Sequence, residues 1–96
     1  MPYIPKKERE KYDNLVDNLG HILNTRRDND ELSGELNYVL FRLAIILTTQ
    51  EAGGVRSYAR MAVVSSALAE AQAEFRRRVM AEYEDKKCQI SGDVEV

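Results

Sequence analysis

The stretch from Asp28 to Gly54 carries apolar residues on two sides of one helix, and this constrains the chain more than any other feature. Leu32, Leu36, Val39, Leu40, Leu43 and Leu47 recur at the three-and-four spacing of a single helical face. At about 100° per residue, Tyr38, Phe41, Ile45 and Thr48 fall on roughly the opposite side. A helix that is apolar on two sides needs two partners. With 96 residues there is room for one small domain, near the size at which a single core barely suffices. Such a chain covers one side of the helix readily, and the other side points to self-association. A homo-oligomer is therefore expected, with Tyr38, Phe41 and Ile45 in its interface.

Two further helices flank this one. The first is expected over about residues 5–25, with Pro5 suited to a first turn because its missing N–H would have had no partner there. Tyr12, Leu15, Val16, Leu19, Ile22 and Leu23 form its stripe. Gly20 interrupts that stripe at a cost of about 1 kcal/mol relative to alanine, a cost that close approach of a neighbour would justify. RRDND then reads as a turn, and Asp28 with Glu31 has the spacing of a capping box. The second helix spans about 30–51, closed by Gly53-Gly54. The third runs from Ser57, a good N-cap, to about Lys87. Met61, Val64, Leu68, Ala71, Phe75 and Val79 make its large-residue stripe, beside a stripe of small residues at Ala62, Ser66, Ala69 and Ala73.

The expected fold is all-α. It is a three-helix antiparallel bundle or hairpin with a long C-terminal helix and an extended tail over 88–96, one domain spanning 1–96. Packing of the long helix against the Leu32–Leu47 face would make Leu43 a core residue.

Charge and cysteine usage narrow the function classes. A net charge of −2 argues against a general nucleic-acid binder, which is usually strongly basic. Cys88 stands alone and cannot form an internal disulfide, so a reducing cytoplasm is expected. The N-terminal MPYIPKKEREKY has no apolar stretch of the kind a secretory signal carries. The apolar run from Tyr38 to Thr49 is interrupted by Arg42 and is too short to span a bilayer. A soluble protein without membrane contact or cofactor follows.

Several sets of residues could carry chemistry. In GGVRSYAR, two glycines lead into a helix N-terminus, whose free N–H groups and dipole favour an anion. Arg56, Ser57, Tyr58 and Arg60 are the candidate ligand-binding residues there, for a nucleotide or other small phosphate-bearing molecule. The competing role of this stretch is connection and capping. No P-loop pattern occurs. Arg42 sits in an apolar segment, where burial without a partner would be costly; an ion pair or a subunit contact is expected, with ligand binding as the alternative.

The segment EFRRRVMAEYEDKK places Glu74, Arg78, Glu82 and Lys86 four apart, a self-paired and solvated helix face. Its arginine triplet exceeds what that ladder requires, and Arg77 is the expected interface member. Glu31 and Glu35, with Glu82 and Asp85, are similar to the carboxylate sets of magnesium-binding helical nucleotide pyrophosphohydrolases. Here the second pair lies far downstream of the first, a departure that favours solvated acids. His21, with Asp17 four residues before it, does not match a di-iron motif, and no zinc site or hydrolytic triad has support. No catalytic or metal-ligating residue is assigned.

MPYIPKKEREKYDNLVDNL, GELNYVL, SYAR and EFRRRV-x-x-x-YEDKK with a closing GDV resemble a family of short phage and bacterial proteins classed as a domain of unknown function. The resemblance covers almost the whole chain. It implies a phage or prophage setting and no particular reaction. Small helical phage proteins often act in counter-defence, and some sequester cyclic nucleotide signals between subunits. By that analogy the expected partners are a nucleotide or a host protein.

Overall fold

A computed structural model describes residues 4–25, 28–49 and 56–95. The fold is all-α: α1 (Lys6–Leu23), α2 (Asn29–Thr48), α3 (Tyr58–Phe75), a π-helical turn (Arg76–Met80) and α4 (Ala81–Ser91), with no strand among the described residues. The chain divides into two units between Arg56 and Ser57. Gly53 and Gly54, expected to close the second helix, lie outside the described residues, as do Arg26 and Arg27 of the expected turn.

In the first unit α1 and α2 touch. Pro5 precedes α1 with φ −55° and no side-chain cap, and Glu8 donates its N–H to the Pro5 carbonyl at 2.9 Å. Arg9 Nε donates to the Ile4 carbonyl at 2.9 Å, tying the entering chain to the first turn. At the far end Thr25 Oγ1 donates to the Ile22 carbonyl at 2.7 Å, satisfying one of the orphan acceptors of a helix terminus. A Cβ built on Gly20 meets nothing within 4 Å. Close approach of a neighbour among the described residues is therefore not what the glycine serves. Asp28 caps α2, accepting from the N–H of Asp30 at 2.7 Å and of Glu31 at 3.4 Å.

In the second unit Ser57 Oγ accepts from the Arg60 N–H at 3.3 Å and starts α3. The backbone stays helical through the π turn, with Phe75 at φ −61°, ψ −44° and Ala81 at φ −62°, ψ −40°. Helix continues past Lys87 to Ser91, beyond the expected end. Nothing from Cys88 to Ser91 disfavours helix strongly; Gly92 is the terminator. It adopts φ 85°, a conformation cheap only for glycine, and its N–H donates to the Cys88 carbonyl at 2.9 Å.

Among the described residues no apolar side chain is buried; the one buried side chain is the polar Thr48, 6% exposed. Leu43, expected as core, is 46% exposed. The reason is geometric. Two touching helices shield only the stripe along which they meet, and α2 is apolar well beyond one stripe.

Candidate functional site

The C-terminal end of α2 is where the polar side chains converge. Thr48 Oγ1 donates to the Ala44 carbonyl at 2.7 Å and Thr49 Oγ1 to the Ile45 carbonyl at 2.6 Å. Each hydroxyl keeps lone pairs for a further donor. Arg56 supplies both donors: Nε reaches Thr48 Oγ1 at 3.1 Å and Nη2 reaches Thr49 Oγ1 at 3.2 Å. The guanidinium thus lies at the negative end of the α2 dipole, where a cation is favourable. Arg56, a candidate ligand residue by sequence, clamps the end of α2. Paired threonines closing an apolar helix were the available signal. The arginine eight positions on could be matched to them only in the tertiary structure.

Ser57, Tyr58 and Arg60 share the first turn of α3, with the Ser57 hydroxyl engaged as its cap. Tyr58 is 82% exposed. Arg42 is exposed on α2, and no described residue pairs with it, so the chain supplies no described counter-charge.

The expected interface residues of α2 are open to solvent. Phe41 is 69% exposed, Tyr38 nearly as much, and Ile45 more than a third. In the other unit Glu74 gathers the arginines. Arg77 binds its carboxylate from two nitrogens, Nε to Oε1 at 3.1 Å and Nη2 to Oε1 and Oε2 at 2.9 and 3.2 Å, and Arg78 Nη1 stands 4.0 Å from Oε2. Glu82 and Lys86 pair at 3.4 Å. These exposed pairs contribute a few tenths of a kcal/mol each, so their role is to shape the charge pattern rather than to hold the fold.

Among the described residues no three of His, Cys, Asp and Glu come together as a metal site. Cys88 is an exposed free thiol with Sγ 3.8 Å from Asp93 Oδ1. No described helix is long and apolar enough to cross a membrane.

Neither a curated protein nor a solved structure gives a match to the chain. A family model does match, over residues 1–94, in line with the resemblance carried by the two ends of the sequence. The chain belongs to the family described as Domain of unknown function (DUF6899).

Proposed function

We propose that this chain is a non-enzymatic helical protein that works as a homo-oligomer and binds a partner protein in a reducing cytoplasm. One observation carries the reading: no described apolar side chain is buried, while Tyr38, Phe41 and Ile45 lie open along α2. Exposed apolar area of this extent is favourable to cover, at about 25 cal/mol per Å² removed from water. The nearest chemically matched cover is the same surface on another copy. An exposed free Cys88 accords with a reducing compartment. The phage setting and a counter-defence role belong to this proposal through the family resemblance, with a host protein as the partner. Sedimentation of the purified chain over a range of micromolar concentrations tests it. An oligomer that Phe41→Glu dissociates is the expected result, and a wild-type monomer throughout would sink the proposal.

A second reading has a phosphate-bearing nucleotide held at the first turn of α3 by Ser57, Tyr58 and Arg60, with Arg42 of a neighbouring copy. What favours it is Tyr58, open on the first helical turn beside Arg60 and able to stack on a base. Arg56 belongs to the clamp on α2 and takes no part. Calorimetry with linear and cyclic nucleotides, with and without magnesium, decides it. Binding lost in Arg60→Ala, with the nucleotide recovered unchanged, supports this reading. Product formation would favour a nucleotide pyrophosphohydrolase instead.

A further inference from the structure

The helical run from α3 through the π turn to α4 carries an apolar pattern separate from the two sides of α2. Leu68, Phe75, Val79, Tyr83 and Ile90 follow one another at steps of seven, four, four and seven, so the pattern reads alike from either end, with Val79 at its centre. At 3.6 residues per turn a seven-residue step stays within about 20° of one face, whereas each four-residue step moves about 40° off it. Two four-residue steps in succession would carry Tyr83 and Ile90 away from the line of Leu68 and Phe75. The π turn at Arg76–Met80 lies across these steps. Its wider turn, closed by i→i+5 hydrogen bonds, takes up the surplus residue. The π turn is thus a register device that keeps the seam straight. Phe75, Val79, Tyr83 and Ile90 are each more than half exposed.

The charges beside the seam say what covers it. Glu74, Arg78, Glu82 and Lys86 follow one another at four-residue steps along one flank. Reversing the direction of the helix about Met80 sets Glu74 opposite Lys86 and Arg78 opposite Glu82, one residue from the centre of the apolar pattern, an offset that these long side chains span. Both the apolar pattern and the charge pattern are therefore complementary to themselves run backwards. That is the requirement of a two-fold, isologous interface, in which residue i meets j and j meets i.

We propose that this seam pairs antiparallel with the same seam of a second copy of this chain, about a two-fold axis at Val79. The proposal rests on the self-association reading and adds a second surface to the one on α2. Val79 meets its own counterpart, Phe75 meets Tyr83 of the partner subunit, and Leu68 meets Ile90 of the partner subunit.

Disulfide trapping in the full-length chain tests the arrangement. Cys88→Ser first removes the native thiol, and the helical circular dichroism signal is checked in each variant. With Val79→Cys added, mild oxidation gives a covalent dimer, since thiols link only where Cβ atoms come within about 4 Å. Tyr83→Cys alone stays uncrosslinked. Phe75→Cys and Tyr83→Cys chains, unfolded together and refolded, give the mixed disulfide, and the pair Leu68→Cys and Ile90→Cys does the same. Efficient self-linking by Tyr83→Cys overturns the antiparallel arrangement in favour of a parallel one. An oligomer by sedimentation in which neither Val79→Cys nor the two mixtures cross-link overturns the seam and leaves association through α2 standing. A monomer at every concentration removes both.

Discussion

Arg56 donates from Nε to the Thr48 hydroxyl at 3.1 Å, while that hydroxyl donates to the Ala44 carbonyl at 2.7 Å. A charged side chain after the helix is thereby joined to the last turn of α2 through its one buried residue. Arg56→Ala removes two charge-assisted hydrogen bonds and is expected to lower stability by about 1–2 kcal/mol, with lysine restoring only part because it lacks the planar fork. Urea denaturation measures the difference. An unchanged midpoint would show that the clamp contributes nothing.

Gly20 is the clearest site for stabilisation. Its backbone is helical and open space surrounds the missing Cβ, so Gly20→Ala is expected to gain up to about 1 kcal/mol. Thermal unfolding reads this directly. A loss of stability that grows with protein concentration would instead mark Gly20 as a point of contact between copies.

Asp28 satisfies two N–H groups at the start of α2 that have no partner within the helix. Asp28→Ala is expected to cost about 1 kcal/mol, and Asp28→Ser much less. Comparison of the two variants by denaturant midpoint separates the cap from the charge, since serine keeps the acceptor and drops the carboxylate.

Leu43 tests whether the open face of α2 is covered by association. In a lone chain Leu43→Ala has little to lose, because the side chain is 46% exposed. Where a copy covers that face, the substitution is expected to cost about 2–5 kcal/mol. The thermal midpoints of wild type and variant should therefore diverge as concentration rises. Parallel curves at all concentrations would place Leu43 outside any interface.

The helices and their starting caps were legible residue by residue. Asp28 and Ser57 act on N–H groups two or three positions away, so the interaction that starts each helix is contained in a few residues of sequence. The three-and-four spacing of Leu32 through Leu47 likewise identifies a helix whatever it packs against. The helix end at Ser91, beyond the expected Lys87, was legible in principle at Gly92. The π turn left a local trace, the two successive four-residue steps around Val79.

Tertiary structure alone decided the rest. Arg56 is identical in sequence terms whether it faces an anion at the start of α3 or the hydroxyls at the end of α2. The hydroxyls it meets lie seven and eight positions back, beyond the reach of any local rule. The exposure of Leu43 and Phe41 is of the same kind. Periodicity says which residues share a face, whereas burial depends on how many faces meet it, and within its unit α2 meets α1.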